Sequence, residues 1–217
     1  MSTLLLRLAA PLQSWGVASK FDRRDTQRYP SKSGIIGLLA AALGRSREDS
    51  MEDLAALRFG VRIDQEGELL RDYHTAKSAK SAYVTNRYYL SDAIFLCGLE
   101  GEDSKLHELE DALLTPKYPL FLGRRSCPPE GKVLLGVMDG TLENALATYP
   151  SLAMKSVKTG ANWIVMDASM STPGAYFVRD LPISFSVRHR KFAFRSVIEK
   201  GQMQIGDAHV VDPYDIL

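Results

Sequence analysis

Apolar residues recur along the chain with periodicities that change between strand and helix. Residues Thr3–Ala9 are almost continuously apolar, which is typical of a central strand. A helix is predicted from Ser31 or Ser33 to Gly44, because a hydroxyl side chain precedes an apolar run and a glycine follows it. A second, short helix is predicted with Ser50 as its N-cap.

The middle of the chain predicts strands around a polar excursion, followed by another long helix. Strands over Phe59–Ile63 and Glu68–Tyr73 flank a turn. Residues 75–87 contain only two large apolar side chains, so we interpret them as a projecting loop or hairpin. Tyr88–Leu99 is predicted as one buried strand, and leucines at helical spacing between 106 and 114 predict the helix.

The last third is predicted to be mostly β structure. It contains a strand over Lys132–Met138, a short helix over Leu142–Tyr149, and three further strands: Asn162–Asp167, Ala175–Phe185 and Lys191–Glu199. Without the excursion, the order is strand, helix, strand, strand, helix, strand, the ferredoxin-like arrangement that RNA-recognition domains also use. The sequence therefore predicts an α+β fold. Residues 1–140 are predicted to form a ferredoxin-like domain, and residues 141–217 a smaller β-rich region packed on it.

Composition narrows the classes of protein that fit this pattern. The longest nearly apolar run, Gly34–Gly44, is too short to cross a bilayer, and no charged leader precedes the apolar N-terminus. Cys97 and Cys127 form no CxxC motif, and the four histidines lack metal-ligand spacing. We expect a cytoplasmic protein in a reducing compartment, without a cofactor, a structural metal or a membrane association.

Charge is the feature that first argues against a nucleic-acid binder. The 217 residues carry 27 Lys and Arg against 26 Asp and Glu, for a net charge of +1, whereas such binders are usually basic. The charge is unevenly distributed, however. Positive blocks cover residues 1–50, 71–97, 117–138 and 188–200, and the acidic residues concentrate between them. This pattern fits either ordinary solvated surfaces or one basic face for RNA and other faces for proteins.

The densest group of polar residues leads into the first long helix. It includes Gln13, Trp15, Arg24 and Arg28, and ends on Ser31 and Lys32. Unpaired N–H groups and the helix dipole favour an anion at that position, so a phosphodiester is one interpretation. A simple N-cap with solvated arginines is the other. The Walker A pattern is absent, so nucleotide hydrolysis is not implied.

Three further segments combine basic residues with features suited to single-stranded RNA. The first is the loop Gly123–Ser126, which contains Arg124 and Arg125. The second is the 71–91 excursion, where basic residues alternate with tyrosines. The third is the run Arg188–Arg195, which alternates charged and aromatic residues and fits a half-buried strand slightly better. In the excursion, Tyr73, His74 and Lys77 contain the groups needed for metal-independent RNA cleavage, although a lone histidine in a strand is more often structural.

Five ordered stretches resemble the CasD family, a subunit of Cascade, the type I-E CRISPR surveillance complex. They are Leu8–Gly16, Arg28–Leu39, Leu70–Thr75, Leu114–Tyr118 and Leu122–Pro128. The resemblance implies a ferredoxin-like body with a protruding β-hairpin thumb over about residues 76–86. It also implies a body that grips the five-prime handle of the crRNA, contacts with the subunits CasC and CasA, and an indirect role at target DNA.

The resemblance and the basic excursion together define the candidate RNA-binding residues. The resemblance implies Gln13, Trp15, Arg24, Arg28, Ser31, Lys32, Arg71, Tyr73, His74, Arg124, Arg125 and Ser126, and the excursion adds Lys77, Lys80 and Arg87. In this subtype another subunit cuts the precursor, so the resemblance implies a non-catalytic RNA cap. The alternative is a metal-independent CRISPR repeat endoribonuclease that uses Tyr73, His74 and Lys77.

Overall fold

The structure of the chain is a computed structural model that describes residues 1–17, 23–77, 82–154 and 163–201. Four helices are present in these ranges: α1 (Lys32–Leu43), α2 (Glu52–Ala55), α3 (Asp103–Leu114) and α4 (Leu142–Thr148). The strands of the large sheet are β1 (Ser2–Ala9), β4 (Arg58–Gln65), β7 (Ile94–Gly101), β8 (Leu134–Asp139), β9 (Trp163–Asp167), β10 (Tyr176–Ser184) and β11 (Lys191–Lys200). A smaller sheet contains β2 (Leu12–Gln13), β3 (Arg23–Arg24), β5 (Glu68–Lys77) and β6 (Ala82–Ser91).

The large sheet has seven strands in the order β10-β11-β9-β4-β7-β1-β8. Its four strands β8-β1-β7-β4 pair antiparallel throughout. The helix α1 lies between β1 and β4 in the chain, and α3 lies between β7 and β8, which gives the predicted order of strand, helix, strand, strand, helix, strand. The α+β ferredoxin-like fold class is therefore confirmed. β9 pairs with β4, and β10 and β11 extend the same sheet outward. The boundary near residue 140 stays a prediction.

Both faces of the large sheet are buried around β1, which explains why β1 is a nearly continuous apolar run in the sequence. Leu4, Leu6 and Leu8 pack in the core with α1 and α3, whereas Leu5 and Ala9 pack with α4 on the other face. A strand covered on both faces lacks the alternation of a half-exposed strand. Within the described residues, no helix is long and apolar enough to span a membrane.

The sequence signals around α1 are confirmed in detail. Ser31 Oγ accepts a hydrogen bond from Gly34 N at 3.3 Å, as an N-cap does. Gly44 adopts the left-handed conformation (φ 77°) immediately after the helix. The predicted Ser50 N-cap is displaced by one residue, because α2 is a single turn whose N-cap is Met51.

The prediction of one strand over Tyr88–Leu99 is wrong. The chain ends β6 at Ser91, turns through Asp92 in a left-handed conformation (φ 54°), and begins β7 at Ile94. β6 then belongs to the small sheet, where it pairs antiparallel with β5 from Glu68↔Ser91 to Lys77↔Ala82. The range predicted as the thumb falls within this hairpin, and residues 78–81, including Lys80, lie outside the described residues.

Candidate nucleic-acid interface

The loop that contains Arg124 and Arg125 is fixed against the segment that follows β2. Ser14 N donates to the carbonyl oxygen of Leu122 at 3.1 Å, and Leu122 N donates to that of Cys127 at 2.8 Å. Gly123 has φ +88°, and a Cβ at this position would lie 1.7 Å from the carbonyl oxygen of Ser14. Only glycine permits this approach. The loop therefore holds both arginines in defined positions.

Arg124 joins the loop to the small sheet. Its Nη2 donates to the carbonyl oxygen of Arg24 at 2.7 Å, and its guanidinium carbon lies 4.6 Å from the centroid of the Tyr89 ring. Its Nη1 is buried and has no hydrogen-bond partner among the described residues. A buried unpaired donor costs about 1–3 kcal/mol, so the hydrogen bonds of this guanidinium are incompletely satisfied within the described chain.

Arg24 and Arg87 lie opposite each other where β3 pairs with β6, so they share a face of the small sheet. Tyr89, two residues along β6, lies on the same face and contacts Arg124. We call Arg24, Arg87 and Arg124 the arginine cluster. Arg87 Nε is likewise buried without a partner among the described residues. The cluster therefore contains two guanidinium N–H groups whose hydrogen bonds are not made within the described chain.

The acidic residue nearest this face in the register has another partner. Asp72 lies opposite Arg87 on β5, and its Oδ2 lies 2.5 Å from His74 Nε2. The carboxylate therefore bonds to an imidazole of its own strand. This arrangement leaves the arginine cluster basic and able to meet the phosphates of a nucleic acid.

The other face of the hairpin holds a different part of the predicted set. Alternation along β5 places Arg71, Tyr73 and Lys77 on the face opposite to His74. Arg71 Nε donates to Asn86 Oδ1 at 2.9 Å, and the Tyr73 side chain is 61% exposed. Lys77 is exposed as well. The hairpin therefore offers basic or aromatic side chains on both faces.

Gln13 and Trp15 are buried, and their polar atoms bond to the chain itself. Gln13 Nε2 donates to the carbonyl oxygens of Leu8 (3.2 Å) and Ala93 (2.6 Å). Gln13 Oε1 accepts from the indole N–H of Trp15 at 3.2 Å. Trp15 is 1% exposed and lies against Gly34 of α1, where a Cβ would come within 2.9 Å of the ring. Both side chains support the surface that surrounds them.

Lys32 belongs to a buried ion network that also contains Asp167, Asp180 and Arg195. Lys32 Nζ lies 2.9 Å from Asp167 Oδ2. Arg195 contacts Asp167 Oδ1 through Nη1 at 2.6 Å, and Asp180 Oδ1 through Nε at 2.6 Å. Burial lowers the pKa of Lys32, and the Asp167 carboxylate opposes this effect. For Arg195 the same two kinds of effect compete, and the carboxylates outweigh burial and raise its pKa.

The N-terminus of α1, where the sequence suggested a phosphate, already has an anionic partner. Lys32 N donates to Asp180 Oδ2 at 2.7 Å, and Ser31, 2% exposed, caps the helix with its hydroxyl group. A carboxylate of the chain itself therefore takes the place that the dipole makes favourable. Direct RNA contact by Ser31 and Lys32 stays a prediction, and their observed contacts are internal.

The remaining predicted residues lie at the surface. Arg28, Arg125 and Ser126 are exposed. Arg125 also lines a cleft that sequence reasoning missed. This arginine cleft has a volume of about 440 Å³, and Arg45, Arg47 and Arg190 line it together with Arg125. Its walls come from separate segments of the chain, so no local motif reveals it. The alternating run 188–195 was the one signal that included Arg190.

The sheet face that RNA-recognition domains use for stacked bases is covered here in its centre. Leu142 and Leu146 of α4 pack against Leu5 of β1 and Leu96 of β7. The basic features described above lie instead on the small sheet, the loop around Arg124 and the cleft beside α1. This chain therefore presents its basic surface beside the ferredoxin-like sheet.

Comparison with known proteins assigns this chain, with its ferredoxin-like sheet, to the class of CRISPR-associated proteins. A family model described as CRISPR-associated protein (Cas_Cas5) matches residues 3–198, and the chain belongs to this family. The Cascade subunit CasD of Escherichia coli K12 is 38% identical over 172 residues, which cover 68% of this chain and 77% of that protein.

Two solved structures are similar to the whole fold. One, described as a Cas protein crystal structure, is 44% identical with a TM-score of 0.74, and the match covers 92% of this chain and 94% of that one. The other, from a CRISPR RNA-guided surveillance complex, is 28% identical with a TM-score of 0.78 and covers 99% and 98%. These matches confirm the family resemblance of the sequence motifs.

Proposed function

We propose that the chain is a non-catalytic RNA-binding subunit of a Cascade-type CRISPR surveillance complex. It caps the five-prime handle of the crRNA, contacts the neighbouring subunits CasC and CasA in the cytoplasm, and meets target DNA only indirectly. The observation that carries the proposal is the arginine cluster, with two buried guanidinium N–H groups that lack partners among the described residues. The relative named as a Cascade subunit and the structure from an RNA-guided complex support it.

The candidate RNA contacts divide into two groups by burial. The arginine cluster, the exposed hairpin residues, Arg28, Arg125 and Ser126 form the contact surface, because their side chains reach solvent or lie beside it. Gln13, Trp15, Ser31 and Lys32 are each at most 4% exposed. We propose that these four act as positioning residues that hold the contact surface in place.

The geometry of β5 supports a non-catalytic role. Tyr73 and Lys77 lie on one face of the strand and are four residues apart, which corresponds to about 13 Å at 3.3 Å per residue. His74 points to the opposite face and bonds to Asp72. A general acid and base must both reach the reacting atoms within hydrogen-bond distance. These three side chains do not converge on such a point.

Binding of the full chain to labelled single-stranded handle RNA tests the proposal as a function of salt. Arg124→Ala is expected to weaken binding several-fold and to reduce the salt dependence by about 0.7 in log–log slope, the value for one phosphate contact on a single strand. Arg179→Ala, an exposed arginine of β10, is the matched control and should bind like the unmodified chain. Equal affinity and an unchanged slope for Arg124→Ala would count against the proposal.

A second assay separates the cap from the endoribonuclease. The purified chain is incubated with repeat RNA in EDTA, and the RNA is expected to stay intact. Specific cleavage that disappears in His74→Ala would establish the nuclease instead. Recovery of the chain with CasC, CasA and crRNA tests the assembly role separately.

A further inference from the structure

The arginine cleft has part of α1 as its floor and walls from several separate parts of the chain. Gly34 and Gly37 of α1 line the floor. The walls include Arg47 from the segment after α1, Phe121 and Arg125 from the loop before β8, and Phe185 and Arg190 from the segment between β10 and β11. Its volume of about 440 Å³ lies within the range of small-ligand sites, about 300–1,000 Å³.

The charges around the cleft are of one sign. No aspartate or glutamate is among its lining residues in the described chain. Arg45 is bonded to Asp53, but Arg47, Arg125 and Arg190 form no ion pair with a carboxylate of the described residues. Burial and the nearby charge of Arg47 lower the pKa of Arg190. Three guanidinium groups in this arrangement favour an anion between them.

The cleft also has an aromatic side. Phe121 and Phe185 line it, and Trp15 borders its floor. The ring of Phe185 is held by an edge-to-face contact with Phe192 at 6.2 Å between centroids. Aromatic rings stack with unstacked bases, and arginines bind the adjoining phosphate. An anion next to a flat apolar surface, in a space of this size, corresponds to one nucleotide.

We propose that the arginine cleft receives a single nucleotide of the bound RNA, turned out of the strand. Its phosphate meets Arg47, Arg125 and Arg190, and its base stacks on the aromatic side of the cleft. This inference rests on the proposed function and deepens it, because it assigns a separate subsite beside the arginine cluster. RNA bases that are splayed out of a strand are commonly read in this way.

Gly37 allows the cleft to be filled without removing any charge. A Cβ at Gly37 would meet only the Phe185 ring, at 4.0 Å, and replacing a helix glycine by alanine or leucine favours the helix. Gly37→Ala leaves most of the volume open, whereas Gly37→Leu fills it. The two variants form a graded pair in which folding is expected to be preserved, and thermal unfolding of each checks this expectation.

The test measures the affinity of the full chain for a labelled handle RNA and for copies in which one base at a time is removed. For the unmodified chain, one abasic position is expected to lower affinity about tenfold. Gly37→Leu is expected to bind intact RNA about tenfold more weakly and to be insensitive to the same abasic position. Arg125→Gln and Arg190→Gln should each reduce the salt dependence, whereas Arg179→Gln should not.

Gly37→Leu binding like the unmodified chain, or an equal loss at every abasic position, would overturn the inference and leave the proposed function intact. Absence of RNA binding by the unmodified chain would overturn both. Displacement of the RNA by free nucleoside monophosphates at equimolar concentration would assign the cleft to a free nucleotide. If Gly37→Leu binds RNA with unchanged affinity but recovers the partner subunits more weakly, the cleft would be assigned to a protein segment. Assignment of the cleft to a free nucleotide or to a protein segment would contradict the inference.

Discussion

Removal of Asp180 from the ion network is expected to destabilise the protein strongly. Its two carboxylate oxygens accept hydrogen bonds from Nε and Nη2 of Arg195, at 2.6 and 3.0 Å. Oδ2 also accepts from Lys32 N at 2.7 Å, at the start of α1. Asp180→Ala leaves Arg195 with Asp167 as its carboxylate partner and removes the acceptor from the helix N–H group. An excess positive charge then remains in the interior.

The magnitude follows from these contacts. Removing one partner of a buried ion pair costs about 3–5 kcal/mol. The 2.6 Å bond between Arg195 Nη1 and Asp167 persists, so we expect the lower part of that range, about 3–4 kcal/mol in the free energy of unfolding. Asp180→Asn retains one oxygen acceptor and is expected to cost about 2 kcal/mol. Either loss is a large part of a total stability of about 5–15 kcal/mol.

Urea unfolding followed by tryptophan fluorescence measures this loss, because Trp15 is buried next to α1. Asp53→Ala is the matched control. Its carboxylate pairs with Arg45 and Lys105 at the surface and is 42% exposed, so its removal is expected to cost about 1 kcal/mol, less than the removal of Asp180. A loss for Asp180→Ala no larger than that for Asp53→Ala would refute the reasoning.

Three further predictions concern Lys32, Gly123 and Asp53. Lys32→Met is expected to lower the free energy of unfolding by about 2–3 kcal/mol while the salt dependence of RNA binding is unchanged; a smaller slope in salt titrations would show that Lys32 reaches a phosphate. Gly123→Ala is expected to weaken RNA binding several-fold, because its Cβ would lie 1.7 Å from the Ser14 carbonyl oxygen. Gly174→Ala is the control, because Gly174 also has a positive φ (+80°) but a Cβ there would have nothing within 4 Å. It should strain the backbone by about 1 kcal/mol and leave RNA binding unchanged in the same titrations. The hydrogen bond from Arg45 holds the pKa of Asp53 well below its ordinary value. This pair therefore stabilises the fold above about pH 4, and its contribution is lost as the pH falls. In urea titrations the stability difference between the unmodified chain and Asp53→Asn should shrink at lower pH, and a difference that grows would contradict this pH dependence.

The sequence predicted the ends of helix α1 but missed the turn between β6 and β7. Ser31 and Gly44 mark the ends of α1 because capping depends on residues within one turn of the helix. The turn at Asp92 was missed because its left-handed backbone (φ 54°) interrupts an otherwise apolar run. No periodicity marks a single residue of this kind between two strands that belong to different sheets.

The candidate site was predicted less completely, because exposure and long-range pairing decide it. Lys32 has the residue type of a phosphate ligand, but Asp167, the partner of its ammonium group, is 135 residues away. Asp180 in the middle of β10 and Arg195 in the middle of β11, each with apolar residues nearby in its strand, were the available signs of a buried pair. The arginine cleft draws its walls from segments that only the tertiary fold brings together.

The ion network also constrains when the protein is able to finish folding during its synthesis. The start of α1 and the backbone N–H of Phe59 on β4 depend on carboxylates at 180 and 167, and both carboxylates depend on Arg195. A ribosome that has released the first half of the chain has therefore not yet supplied these partners. Contacts of such long sequence separation form late, so the ferredoxin-like part is expected to reach its final stability only after β11 has emerged, and a nascent chain stalled before Arg195 is expected to be protease-sensitive around α1.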